Sequence, residues 1–427
     1  MARVAVFLGL LAVVVARPPL YRHAVAAAAA GGSPAVVGNL GCAAAACHGD
    51  TQHATVSDRD PHRRAFGVLF HERSVRMVRT LGGTAPAHQD ARCLSCHGAA
   101  PPNAAPLPAD DYRHRSASCE NCHGAAGNYL TTHYLPGKPA DGLMATKDLA
   151  VRAAVCAGCH VGEPGREVDH ALIAAGHPAL RFELAAYSAA PVYARHWVEP
   201  PREGAEWLVG QVAAARASAE LLRHRAATAG KRDWPELAEF ACFSCHQGLT
   251  GEPTPVRANA PPAGRLPWGT WAYPLTLSLA DGPTESRPPA GDGLTRLAAL
   301  FRETDRPEAK ATADAATAAV AHLDRWLVQL RDRPPTDFRP LLAHAVKFAG
   351  DVPRTGSPAA DWDRTAQGFL ATAALYRATG ERSPAAEAAL ADIASRLRFP
   401  AGRDSPAKSP TARDRLARRW AELGGRP

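Results

Sequence analysis

In the second half of the chain, apolar positions recur at the three-to-four-residue spacing of helices that bury one face. The spacing predicts helices over Leu294–Glu303, Glu308–Arg331, Phe338–Phe348, Trp362–Thr379, Pro384–Leu397 and Thr411–Leu423. Earlier, Glu203–Ala227 reads the same way, with Trp207, Val209, Val212, Leu221 and Leu222 as its stripe. Gly350, Gly380 and several prolines punctuate these runs. The two-residue alternation of strands is nearly absent, so the fold class is mainly α. Outside Glu203–Ala227, residues 40–250 show little periodicity and predict little regular structure.

An apolar run from Val4 to Val15 follows Arg3, and an Ala-rich stretch, Ala24 to Ala30, offers A-x-A cleavage sites. That layout predicts a secretory signal peptide over residues 1–30 and a periplasmic destination. The run is short of the ~20 residues a membrane helix needs, which leaves an uncleaved anchor as the weaker alternative. Pro/Gly-rich stretches follow residue 250. The expected organisation is a signal peptide (1–30), a Cys-rich domain (31–250), a linker region (251–292) and an α-helical domain (293–427).

Composition changes this picture in one respect. Aromatics are only 6% of the chain, so few large side chains are available to fill a core. The ten cysteines form five close pairs, each followed by a histidine, and all lie within residues 40–250 with fifteen of the eighteen histidines. Cys93-Leu-Ser-Cys96-His97, Cys119-Glu-Asn-Cys122-His123, Cys156-Ala-Gly-Cys159-His160 and Cys242-Phe-Ser-Cys245-His246 are C-x-x-C-H strings. Cys42 and Cys47, with His48, form a C-x-x-x-x-C-H variant. C-x-x-C-H is the attachment signature of c-type haem: two thiols form thioethers with the porphyrin, and the adjacent His ligates the iron. Composition alone predicts about 0.01 such strings. Zinc sites would use the same residue types, but five pairs do not divide among tetrahedral sites. Redox C-x-x-C pairs need no histidine, and a disulfide framework would not place one after each pair. The expectation is five covalently attached haem c groups, which would also supply part of the missing core.

Five irons have ten axial positions, and His48, His97, His123, His160 and His246 fill half of them. Only Met77 and Met144 remain after Met1, so most distal ligands must be histidines. Ten non-motif histidines lie between His48 and Ala241: His53, His62, His71, His88, His114, His133, His170, His177, His196 and His224.

Several of these segments resemble the cytochrome c-554 family of multihaem cytochromes. They are Cys42-Ala-Ala-Ala-Ala-Cys-His-Gly, Asp60-Pro-His-Arg-Arg-Ala-Phe, Ala91-Arg-Cys-Leu-Ser-Cys-His-Gly, Ser118-Cys-Glu-Asn-Cys-His-Gly, Asp169-His-Ala-Leu-Ile-Ala-Ala-Gly-His-Pro-Ala-Leu and Phe240-Ala-Cys-Phe-Ser-Cys-His. The resemblance runs over residues 40–250 and implies a periplasmic electron carrier with mostly bis-His haems. It singles out His62, His133, His170 and His177 as distal ligands, with His88 as a fifth choice and His196 in reserve. On one helix, His170 and His177 would face the same side two turns apart and cap two neighbouring haems. The family pattern has four haems where this chain has five motifs, and the helical C-terminal half lies outside it.

A carrier is the favoured reading, because the histidine supply can close every iron. The alternative is a multihaem oxidoreductase acting on a small nitrogen or sulfur species at one five-coordinate haem. All five motifs end in His, which counts against the Lys-ligated catalytic haem of pentahaem nitrite reductases. The formal charge of +8 suggests an anionic partner at first. However, residues 1–30 hold Arg3, Arg17 and Arg22 and no acid, residues 31–250 hold 21 basic and 21 acidic side chains, and residues 251–427 hold 25 and 20. Each ferric bis-His haem with ionised propionates adds about −1, and each ferrous one about −2. The excess cationic charge is then cancelled in the haem-loaded protein. Redox proteins are the expected partners, and nucleic acid is not.

Overall fold

Side-chain caps, more than apolar periodicity, set the helices of the Cys-rich half. The structure is a computed structural model and describes residues 34–42, 48, 60–98, 117–138, 140–197, 203–241, 266–350, 358–398, 419–420 and 422–423. The expected signal peptide, Cys47 and the fifth motif, Cys242 to His246, lie outside the described residues. Among the described residues there are fifteen α-helices and no strand, with two isolated bridges, Glu163–Arg166 and Phe240–Trp268.

The first eight helices are short: α1 Asn39–Cys42, α2 Glu72–Thr80, α3 Ala91–His97, α4 Cys119–His123, α5 Leu149–His160, α6 His170–Ala174, α7 Leu184–Ser188 and α8 Pro191–His196. Asp90, Ser118, Asp148, Asp169 and Glu183 accept backbone N–H bonds at the starts of α3 to α7, satisfying donors that a helix leaves open at that end. Pro191 opens α8, where its missing N–H costs nothing. The motif histidine is the last residue of α3, α4 and α5. In each, both cysteines and the histidine fall at i, i+3 and i+4, on one helix face.

The long helices match their expected spans closely. They are α9 Glu203–Ala227, α11 Gly293–Glu303, α12 Ala309–Asp332, α13 Arg339–Gly350, α14 Pro358–Ala378 and α15 Pro384–Leu397; the five-residue α10 Pro274–Ser278, inside the expected linker region, has no counterpart among the expected spans. α14 begins four residues before the periodic pattern. Of the expected Thr411–Leu423 helix only four residues are described, and Trp420 among them is buried with Ala349 and Ile393.

α9 departs from the expected single stripe. Trp207, Val209, Val212, Leu221 and Leu222 are buried, but so are Leu208, Gln211, Ala213, Ala214, Ala215 and Ala219. The helix packs against α5 and α7 of the Cys-rich half and also against α12 and α14. One apolar core therefore runs from Ala150 through Trp207 and Leu222 to Leu323, Trp326 and Leu375. Small residues let the helices approach closely. A Cβ on Gly293 would lie 2.7 Å from the Ala318 backbone, and one on Gly210 would lie 2.6 Å from Leu184 Cβ. Alanine-rich packing of this kind compensates for the shortage of aromatics. Polar links also cross between the halves: Arg181 Nε reaches Asp363 Oδ1 at 3.1 Å, and Trp271 Nε1 donates to Phe182 O at 3.0 Å.

Glu183 caps α7 through bonds from Ala185 and Ala186 while buried, and burial pushes its carboxyl up to about 7. The folded value exceeds the usual one, so the stabilisation is complete below about pH 4.5 and is lost as pH rises through about 7. Glu183→Gln should flatten that limb in thermal melts recorded across pH. An unchanged slope would contradict the assignment.

Candidate haem-binding site

Motif sulfurs from different parts of the sequence meet in space. The Cys119 thiol is lowered to about 7 by a hydrogen bond from Cys42. The Cys159 thiol is lowered to about 6 by a hydrogen bond from Cys96, with help from Arg166, whose Nη1 lies 3.4 Å from its Sγ. The first motif thus adjoins the third, and the second adjoins the fourth. Elsewhere burial dominates: it pushes Cys93 up to about 11 and Cys156 up to about 12. Burial also lowers His123 and His160 to about 4 each, so both imidazoles are neutral at pH 7, as metal ligation requires.

Glu120, inside the third motif, anchors the first. Its carboxylate is fully buried and accepts from Val37 N at 3.0 Å, Gly38 N at 2.8 Å and Ala126 N at 2.8 Å. Gly127 N donates to Ala35 O at 2.9 Å. These bonds hold residues 35–38 against α4 and carry Cys42 to Cys119.

Each described motif histidine faces a non-motif histidine. Ring centroids are 6.2 Å apart for His48 and His133, 6.2 Å for His97 and His177, 5.9 Å for His123 and His196, and 5.8 Å for His160 and His62. The first pair is near parallel, at 16°, and the others are near perpendicular, at 67–81°. A metal bonded at about 2 Å to one nitrogen of each ring separates the centroids by about 6 Å. The pairs therefore fit an iron between two imidazoles.

The outer nitrogens support that fit. Nδ1–H of His97 donates to Ala65 O at 2.8 Å, that of His133 to Tyr129 O at 3.0 Å and that of His177 to Pro178 O at 2.8 Å. His62 Nδ1 lies 2.9 Å from Asp60 Oδ1 and 2.6 Å from Tyr193 Oη. Such bonds fix tautomer and ring orientation, and they reserve Nε2 for a metal. His196 Nδ1 is buried and has no hydrogen-bond partner among the described residues. Among the described residues, no group of three or more His, Cys, Asp or Glu side chains forms a cage for a free metal ion.

Of the expected distal residues, His62, His133 and His177 stand opposite motif histidines, and the reserve His196 does so as well. His88 is stacked on Phe70, with centroids 4.4 Å apart. His170 begins α6, with its backbone N–H donating to Glu236 Oε1 at 2.8 Å. The shared-helix argument for His170 and His177 does not hold. α6 stops at Ala174, and Gly176 takes φ +119°, a conformation that side chains avoid. The turn carries His177 off the helix axis, and Arg73 clamps it through two bonds to Gly176 O. His196 had a legible signal: it ends a Pro-initiated helix beside Trp197, which stacks under the Arg152 guanidinium at 3.8 Å.

Two thiols and an imidazole on one helix face, with a second imidazole opposite, are the attachment apparatus of a c-type cytochrome. Residues 42–124 match the family model of cytochrome c554 and c-prime, and over this segment the match supports a c-type cytochrome role in electron transfer with covalently bound haem c. The match takes in the first three motifs and His62. It is narrower than the 40–250 resemblance, since the His170–His177 segment and the last two motifs lie beyond it. Neither a curated protein nor a solved structure matches the chain. No described helix is long and apolar enough to cross a membrane.

Proposed function

We propose that the protein is an exported, periplasmic cytochrome that passes electrons between redox proteins through five closely placed bis-His haems. The observation that carries this reading is the pairing of four motif histidines with four others, at centroid distances of 5.8–6.2 Å. Under it, Cys42, Cys47, His48 and His133 hold one haem, and Cys93, Cys96, His97 and His177 a second. Cys119, Cys122, His123 and His196 hold a third, and Cys156, Cys159, His160 and His62 a fourth. Cys242, Cys245 and His246 hold the fifth. Its distal ligand is His170, because Glu236, six residues before Cys242, binds the His170 backbone.

A haem iron between two imidazoles accepts and returns single electrons and keeps no position for substrate. The chain's part is to hold the rings, orient them through Nδ1 and exclude water. The Cys42–Cys119 and Cys96–Cys159 contacts bring attachment points of separate haems together, which favours transfer between them.

A pyridine haemochrome assay should give five haems per chain, and electron paramagnetic resonance of the oxidised protein only low-spin signals. A high-spin signal altered by nitrite or hydroxylamine would replace the carrier with an oxidoreductase. A count of four would remove the haem at Cys42 and Cys47.

A further inference from the structure

One imidazole differs from the other described ligand candidates in what its outer nitrogen meets. His97, His133 and His177 each donate Nδ1–H to a neutral backbone carbonyl. His62, unlike these three, meets a carboxylate. Asp60 Oδ1 lies 2.9 Å from His62 Nδ1, and it also accepts from His62 N at 2.9 Å and from Tyr193 Oη at 2.7 Å. Tyr193 Oη lies 2.6 Å from the same Nδ1. Only one arrangement of protons satisfies all of these contacts. The Tyr193 hydroxyl donates to Asp60, and the single Nδ1 proton is shared between Asp60 Oδ1 and Tyr193 Oη. Asp60 is held in place independently of Tyr193, because it is the N-cap of the turn Pro61–Arg64.

The two partners push the imidazole in opposite directions. A carboxylate drawing on Nδ1–H makes the ring more electron-rich, which raises its basicity as a ligand and favours the oxidised metal. A hydroxyl proton on the same carboxylate oxygen weakens that pull.

We propose that Asp60 and Tyr193 act as opposed tuning residues on His62, so that the haem held by His160 and His62 is harder to reduce than it would be with a carbonyl partner, with Tyr193 limiting the effect. The inference rests on the pairing of His62 with His160 described above. Both residues act through His62 and are positioning residues.

The experiment uses the full-length, haem-loaded protein and two variants, Asp60→Asn and Tyr193→Phe. Asparagine caps a helical turn as well as aspartate does, so the first variant removes charge without removing the cap. Haem content is measured first, then each protein is titrated potentiometrically with dithionite, and low-temperature electron paramagnetic resonance identifies the affected low-spin centre. Asp60→Asn should make one haem easier to reduce by about tenfold in its equilibrium constant, about 59 mV. Tyr193→Phe should make the same haem harder to reduce. A merely structural role predicts shifts of one sign or spread over several haems, and either result overturns the proposal, as does the absence of any shift. If Asp60→Asn loses the haem, Tyr193→Phe decides alone: harder reduction supports the inference, and unchanged or easier reduction overturns it. A wild-type protein with no low-spin centre lost in His62→Ala would instead overturn the pairing, and the inference with it.

Discussion

Glu120→Ala should be among the most damaging single substitutions in the Cys-rich half. The three backbone N–H groups of Val37, Gly38 and Ala126 point at one buried carboxylate. Removing it leaves three donors unpaired, two of them buried at a cost of about 1–3 kcal/mol each. The sum is a large share of the ~5–15 kcal/mol that separates a folded domain from its unfolded chain. Residues 35–38 would lose their anchor on α4, and Cys42 its place beside Cys119. The expected result is a much lower melting temperature together with a protein mass short by one haem. Glu120→Gln should be intermediate, since its amide keeps one acceptor but turns donors toward donors. Wild-type stability and full haem content in Glu120→Ala would show that the carboxylate holds nothing.

The second large effect concerns spin state. Replacing His62, His133, His177 or His196 by Ala, one at a time, removes one of the two imidazoles at a single proposed iron. Each variant should convert one low-spin centre to a high-spin one in electron paramagnetic resonance, and the new centre should bind added imidazole and return to low spin. His177→Ala is a sharp case, because the Arg73 clamp on Gly176 holds the adjoining backbone without the ring. His71 is exposed at the start of α2, and His71→Ala should change nothing. Low-spin spectra in all four variants would refute the pairings.

The helices of the second half are plain in the sequence because local terms agree. Ser383 caps, Pro384 starts and the apolar period continues to Leu397, so α15 falls where the pattern puts it. α9 is legible as a helix but its central position is not. Alanine at 213, 214, 215 and 219 reads as a neutral face, yet such residues bury well where another helix comes close. The attachment residues are legible from spacing, since thioether chemistry fixes Cys and His within five positions. Distal ligands are harder, because they are chosen by tertiary folding across separations such as 62 to 160. A histidine count bounds them and a resemblance picks out three, but their partners emerge only in three dimensions. Glu120 was hidden for the same reason: its bonds span more than eighty residues.

The packing of α9 against α5, α7, α12 and α14 has a consequence for transfer kinetics. A helix packed against both halves ties α5, which ends in His160, to the helical bundle. Donor-to-acceptor distances inside the chain are then set by a fixed frame, and little nuclear rearrangement accompanies each change of charge. Electron passage within the protein should vary only weakly with solvent viscosity, and sensitivity to viscosity should appear only where an outside partner has to arrive and leave.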